Sequence, residues 1–136
     1  MRTHLEFTSN AFPPYPEEEA EINPGIWGKR LAEFIVSRLP THGIETGAIV
    51  PEDWGWVIPI KNEAFPMFIG CGNQTEPGGG SFLCFIDPSK PEVRKGLFKK
   101  VSTVADVERI ATALEAILRS HPGIKNVRWW TENETP

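Results

Sequence analysis

Only two segments of the chain carry apolar side chains at helical spacing, and this count most constrains the fold. One stripe runs from Trp27 to Leu39 and the other from Val104 to Leu118, each with the three- and four-residue steps of a single helix face. Two such helices have enough apolar surface to cover one face of a sheet, but not both. We therefore expect a sheet with one face packed under helices and a second face that needs a different cover.

Both helices have recognisable start signals. Asn23 and Pro24 precede the first stripe. Asn can cap free N–H groups and Pro suits the first helical position, which predicts a helix over residues 24–40. Thr103 precedes the second stripe, and Asp106 follows it at the spacing of a capping box.

Strand patterns occupy most of the remaining chain. The run from Phe82 to Ile86 is apolar at every position, which is typical of a central strand covered on both faces. Pro59 lacks a backbone donor, so its strand favours an edge position or a bulge. Alternation and flanking turn residues predict strands at residues 3–8, 54–60, 65–73, 81–87 and 124–131, and leave open a short strand near residues 46–50.

These segments follow one another as β-α-β-β-β-α-β in a chain of 136 residues. The order predicts the α+β class, as a two-layer sandwich of a mainly antiparallel sheet of about five strands with both helices on one face. Residues 9–22 and 88–102 are rich in Pro and charged residues, which predicts irregular connections. The length fits a single domain over residues 1–136.

Composition argues against several classes of function. The net charge is −4, which argues against a nucleic-acid partner. The stretch from Lys90 to Lys100 is the clearest anion-attracting segment, and a solvated loop is its simpler interpretation. No apolar run is long enough to cross a membrane, and the N-terminus has no signal-peptide core. We therefore expect no membrane partner and a cytoplasmic location.

The two cysteines, Cys71 and Cys84, are too few for a disulfide framework or a zinc site of their own. The midpoint between them falls within the connection between their strands, so they can face each other across a hairpin, although a one-residue shift would separate them. Small buried apolar filler is the usual role of such a pair in a reducing compartment. Without any clustered ligand or cofactor motif, we expect no metal, no cofactor and no catalytic residue.

Aromatic residues provide the main functional hypothesis. Alternation places Trp54 and Trp56 on one side of their strand, and Arg128 and Trp130 on one side of the last strand. Aromatic surface beyond the footprint of the helices marks a dimer interface, a partner site or a ligand pocket. We therefore predict a non-catalytic protein-interaction or ligand-binding module that serves self-association or a protein partner. Its binding residues are Asp53, Trp54, Trp56, Arg128 and Trp130.

One alternative removes this surface altogether. The two long connections contain Phe12, Tyr15 and Phe98. If those connections fold over the second face, these three rings seal it and leave no binding surface.

The other alternative is an enzyme. A small-molecule pocket could form near Asp53, Cys71 and Asn73, where a carboxylate, a thiol and an amide lie within one stretch of chain. A catalytic thiol needs a base and an exposed setting, and no His is close to Cys71 in sequence. We therefore prefer the non-catalytic hypothesis.

Several stretches resemble a family of small uncharacterised bacterial proteins. They are EINPGIWGKRLAEF at residues 21–34, EDWGW at 52–56, FPMFIGCGN at 65–73, FLCFIDPSKP at 82–91 and VRWWTE at 127–132. The resemblance covers most of the chain. It implies a bacterial source, and it implies no activity, cofactor or site residue.

Overall fold

The computed structural model describes residues 1–74 and 79–130. Its centre is an open sheet of six antiparallel strands. In spatial order these are β2 (Val50–Glu52), β3 (Gly55–Ile60), β4 (Met67–Asn73), β5 (Ser81–Asp87), β1 (His4–Ser9) and β8 (Ile124–Trp130). The apolar strand β5 lies inside the sheet, as its sequence predicts.

Two long helices cover one face of this sheet, which confirms the predicted α+β sandwich. The helices are α2 (Lys29–Arg38), which continues into a 3-10 turn at Leu39–His42, and α3 (Val104–Arg119). Helix α2 packs on β3 and β4, helix α3 packs on β5 and β8, and the helices contact each other. A short helix, α1 (Glu18–Glu21), precedes them.

Alternation along the strands divides the sheet into a covered face and an open face. The covered face is buried under the helices and contains Leu5, Phe7, Trp56, Ile58, Ile69, Cys71, Phe82, Cys84 and Ile86. The intervening residues form the opposite side, which we call the open face. Its members are His4, Glu6, Val50, Glu52, Val57, Pro59, Phe68, Gly70, Gly72, Leu83, Phe85, Arg128 and Trp130.

The first long helix begins at Lys29, five residues later than the sequence predicts. Asn23 does not cap it, because its side-chain amide donates to the Asp53 carbonyl at 3.0 Å. The cap is the Glu18 carboxylate, whose Oε2 accepts the backbone N–H groups of Gly28 and Lys29 at 2.8 Å each. A carboxylate there also complements the positive end of the helix dipole.

Other boundaries differ in smaller ways. The short strand that the sequence leaves open near residues 46–50 lies slightly later, as β2 at Val50–Glu52, and it raises the sheet to six strands. The predicted connection 88–102 contains a separate hairpin of β6 (Glu92–Lys95) and β7 (Lys99–Ser102). Thr103 does not cap α3, since its hydroxyl donates to the Lys90 carbonyl. Thr131, the predicted end of the last strand, lies outside the described residues.

Over residues 1–74 and 79–130, none of the helices combines the length and the apolar character needed to cross a membrane.

Candidate functional site

Phe85 is the centre of an aromatic cluster on the open face. Its ring centroid lies 4.9 Å from that of Trp54, 5.7 Å from that of His4 and 5.9 Å from that of Phe68. The His4 ring is stacked on Phe85, and the Phe68 ring meets it edge to face. Both arrangements are favourable for aromatic pairs. Four rings from three strands and a turn therefore form one apolar platform, which we call the aromatic cluster.

Gly70 allows the aromatic cluster to lie directly on the sheet. A Cβ at this position would come within 2.4 Å of Cε1 and Cζ of Phe85 and 2.8 Å of Cη2 of Trp54. Those distances are shorter than van der Waals contact, so no other residue fits without displacing a ring. The glycine thus permits close ring-to-backbone packing in the middle of a strand.

A cleft of about 350 Å³ adjoins the aromatic cluster. Trp54, Leu83 and Phe85 form its apolar lining, together with the backbone around Gly72. Gln74 forms a polar rim, where its side-chain amide donates to the Glu6 carboxylate at 2.8 Å and to the Ser81 hydroxyl at 2.9 Å. The cleft can therefore accept an apolar group. Polar atoms at the edge of that group would meet the oxygens of the Gln74 amide and the Glu6 carboxylate.

Asn73 also borders this cleft, but its side chain serves the fold. Its Oδ1 accepts the Trp27 backbone N–H and its Nδ2 donates to the Gly25 carbonyl, both at 2.9 Å. The Trp27 carbonyl in turn accepts the Asn73 backbone N–H. These bonds fasten the loop before α2 to the end of β4.

Arg128 and Trp130 lie together at the β8 edge of the open face. The guanidinium carbon of Arg128 is 3.5 Å from the centroid of the Trp130 ring, a close cation–π contact. Trp129 points the other way, and its indole N–H donates to Glu115 on α3. The predicted division of this strand into two sides is therefore confirmed.

The structure places Trp56 differently from the prediction. Trp56 is 2% exposed in the core beneath the helices, and its indole N–H donates to the Glu18 carboxylate at 2.8 Å. Trp54 is 39% exposed, and its ring lies on the open face. The expectation that they share one side is wrong, because Trp54 belongs to the β2–β3 turn and not to the strand ladder.

The two long connections leave the aromatic cluster uncovered. Phe12 is buried on the helix side, where it contacts Phe34, Phe82 and His121. Tyr15 contacts Arg30 beside α2, and Phe98 is 98% exposed. None of the three rings proposed as a seal lies over the open face, so this alternative loses its basis.

The residues of the enzyme alternative are not brought together. Cys71 faces Cys84 across the β4–β5 pair within the core, with the two sulfurs 3.9 Å apart. Asp53 is exposed at the turn, whereas Cys71 is fully buried. The hydrogen bond with Cys84, followed by burial, raises the pKa of Cys71 well above its usual range. A buried thiol that stays protonated is inert as a nucleophile.

Sequence reasoning missed the centre of the site. Phe85 belongs to a run that is apolar at every position. Without alternation of apolar and polar residues, the sequence does not indicate which face of the sheet its side chain lies on. A pairing register would have identified it, because the predicted facing of Cys71 and Cys84 places Phe85 opposite Gly70. That register, with an aromatic residue opposite a glycine, is the signal available in the sequence.

The fold and this face define the molecule as an α+β sandwich with an aromatic open sheet face. Among the residues that the structure describes, no cluster of His, Cys, Asp or Glu could hold a metal ion. Comparison with protein-family models, with curated proteins and with solved structures finds no match to this chain.

Proposed function

We propose that the protein is a non-catalytic interaction module of the bacterial cytoplasm whose open face associates with the same face of a second copy. The observation that carries this proposal is the aromatic cluster, which lies on a sheet face that neither the helices nor the two long connections cover. Apolar surface of this kind commonly marks an interaction site.

Two rows of residues across the sheet make the open face self-complementary. The first row contains Trp130, His4, Phe85, Gly70, Val57 and Val50. The second contains Arg128, Glu6, Leu83, Gly72, Gly55 and Glu52. In both rows the β8 and β2 residues stand at opposite ends. In the second row, the Arg128 cation at one edge therefore matches the Glu52 carboxylate at the other edge.

A two-fold axis parallel to the strands exploits this match. If the axis passes between β4 and β5, then β8 of one copy lies over β2 of the other. Arg128 then faces Glu52 of the second copy, and Trp130 faces its Val50. Both pairs occur twice, as an isologous interface requires. Aligned sheets cross at about 30°, an offset that a long Arg side chain can span.

The dimensions of the sheet suit such an interface. Six strands with spacings of about 4.8 Å and lengths of about 20 Å give a flat area on the order of 500 Å². Side-chain relief raises the accessible area toward the roughly 800 Å² per partner of a standard interface. The aromatic cluster would lie near its centre, where binding energy usually concentrates.

Charge reversal tests the proposal without disturbing the core. Glu52 and Arg128 are both exposed. The variants Glu52→Arg and Arg128→Glu should each weaken the dimer, because each places like charges opposite one another. The double variant should restore it. Sedimentation equilibrium over micromolar to millimolar protein measures the dissociation constant, and Arg109→Glu on the exposed side of α3 is the matched control.

Three results would count against self-association. The first is a wild-type protein that stays monomeric over the whole concentration range, which would leave a different protein as the partner. The second is dimerisation that is equally strong in both single reversals. The third is a double variant that remains as weak as the single variants, since it would contradict the proposed pairing.

A further inference from the structure

The β6–β7 hairpin carries two large apolar side chains at its tip. Leu97 is 80% exposed and Phe98 is 98% exposed. Gly96, with φ of 76°, provides the left-handed residue of the turn. Single exposed apolar residues are ordinary on protein surfaces, but two adjacent ones on a projecting tip remain fully in water unless something binds them.

Four cations flank this tip in pairs. Arg94 lies directly opposite Lys100, and Lys95 lies directly opposite Lys99. Like charges directly opposite each other destabilise a strand pair. Within the hairpin the single carboxylate is Glu92, whose Oε1 is 3.7 Å from the Lys100 ammonium. The hairpin therefore has an electrostatic cost that an anionic partner would relieve.

The cations lie on both sides of the hairpin. Val93 and Val101 pack against the core of the molecule, and alternation places Lys95 and Lys99 on this same side, nearer the tip. Arg94 and Lys100 lie on the other side. All four are exposed. We call Arg94, Lys95, Lys99 and Lys100 the cationic collar, because they surround the apolar tip.

The four glutamates in and next to helix α1, at positions 17, 18, 19 and 21, lie away from this collar. The hairpin adjoins Phe65 and Pro66, just before β4 begins, together with the carboxylates of Glu63 and Asp87. The acidic helix α1 is bonded to Trp56, near the other end of β4. The seven residues of β4 separate the two ends by about 20 Å. The four cations of the collar outnumber the three carboxylates beside them, those of Glu63, Asp87 and Glu92. This excess of positive charge favours an approach of the hairpin to an anionic surface.

We propose that the β6–β7 hairpin docks on anionic membrane surfaces. Leu97 and Phe98 enter the boundary between headgroups and acyl chains, and the cationic collar contacts the lipid phosphates. A projecting pair of apolar side chains fits a deformable apolar medium. Bases of a nucleic acid could stack on Phe98, but they would leave Leu97 in water. This mode needs no spanning helix, and it departs from our sequence-based expectation of no membrane partner.

Vesicle flotation of the full chain tests the proposal. Wild-type protein should bind phosphatidylcholine vesicles that contain about 30% phosphatidylglycerol, and bind pure phosphatidylcholine vesicles far more weakly. The double variant Lys95→Gln/Lys99→Gln should lose roughly 25-fold in affinity, about fivefold for each cation. Leu97→Ser/Phe98→Ser should lose about tenfold or more, because it removes the apolar burial. Added salt should weaken the wild type.

The controls separate this proposal from its competitors. Arg109→Gln/Lys125→Gln removes two exposed cations from other elements and should bind as the wild type does. The hairpin variants change exposed side chains or remove like-charge repulsion, so circular dichroism should show them folded. Equal binding to both vesicle types, or unchanged binding by either hairpin variant, overturns the proposal. Binding to single-stranded oligonucleotides but not to vesicles also overturns it and assigns the collar to nucleic acid.

This inference is independent of self-association. The charge reversals at Glu52 and Arg128 lie outside the hairpin, and the hairpin variants leave the open face unchanged. Sedimentation without lipid therefore reports on the dimer alone.

Discussion

Trp54 and Trp56 stand two residues apart in the chain and belong to opposite faces of the sheet. Trp56 is 2% exposed and Trp54 is 39% exposed. Trp56 is held by helix α2 and by the buried Glu18 carboxylate. Trp54 instead lies against Phe85, above a strand whose glycine leaves room for both rings.

The comparison shows two ways of accommodating an indole. On the covered face, the ring is buried and its N–H is satisfied by a charged acceptor from a distant part of the chain, which a buried polar group requires. On the open face, the ring packs on Phe85 and Gly70 and remains 39% exposed. The two tryptophans differ in whether they belong to a paired strand, as Trp56 does, or to a turn, as Trp54 does. That difference, rather than residue type, decides whether the indole is buried or exposed.

The largest expected effect is the loss of stability when Trp56 is truncated, and truncation of Trp54 is its comparison. Trp56→Ala should lower the free energy of unfolding by about 3–5 kcal/mol, because it creates a core cavity and removes a donor from Glu18. Trp54→Ala should cost about 1 kcal/mol, since the ring is partly in water already. Urea titration followed by circular dichroism measures both values.

A third variant separates the two contributions at Trp56. Trp56→Phe keeps most of the ring but loses the bond to Glu18, so it should cost about 1.5–3 kcal/mol. Equal losses for the two alanine variants would show that both indoles are core residues, and the contrast between the faces would fail.

A smaller effect tests how tightly the open face itself is packed. Gly70→Ala should cost about 1–3 kcal/mol, because its methyl group would overlap the Phe85 and Trp54 rings. Gly47→Ala is the matched control: its Cβ would meet the Pro59 side chain at an ordinary 3.4 Å. That variant should be nearly neutral in the same titration. A neutral Gly70→Ala would mean that the two rings move aside freely.

Sequence reasoning succeeds here where a pattern is local and repeated. The two helical stripes predict both helices and the single covered face, and the run from Phe82 to Ile86 predicts an internal strand. The positions of Cys71 and Cys84 on either side of one connection allow them to face each other, and the register confirms that they do. Each of these depends on a period or a spacing within one or two elements.

The failures share a different cause, which is long-range contact. Helix α2 begins at Lys29 because Glu18 caps it from another segment, whereas Asn23 is the stronger local signal. Strand alternation places Trp56 on the covered face, and the distant Glu18 carboxylate satisfies its buried indole N–H there. The β6–β7 hairpin was missed because its charged strands have no apolar alternation. In the candidate site, Trp54, Arg128 and Trp130 were named from the sequence, while the central Phe85 was not.

The smallest expected effect lies at the polar edge of the covered face. Arg2 precedes β1 and donates to Glu108 on α3 at 2.9 Å and to Thr112 at 3.0 Å. The Arg2 hydrogen bond lowers the pKa of Glu108, against a smaller opposing effect of desolvation. Both side chains are more than a third exposed, so the pair should contribute well under 1 kcal/mol to stability.

The pH dependence of this contribution has a definite sign. Because the folded state lowers the pKa of Glu108, the stabilisation is present above the unfolded value of about 4.3 and is lost as pH falls through the folded value. Glu108→Gln should therefore unfold at slightly lower urea than the wild type at pH 7, and the two should converge near pH 3. Glu45→Gln removes a carboxylate whose ion pair with Lys61 is far more exposed, so it should match the wild type throughout. If Glu108→Gln stays less stable than the wild type in acid, then the Arg2–Glu108 contact stabilises the fold through packing rather than through charge. The edge of the covered face would then be held by apolar packing, as its centre is.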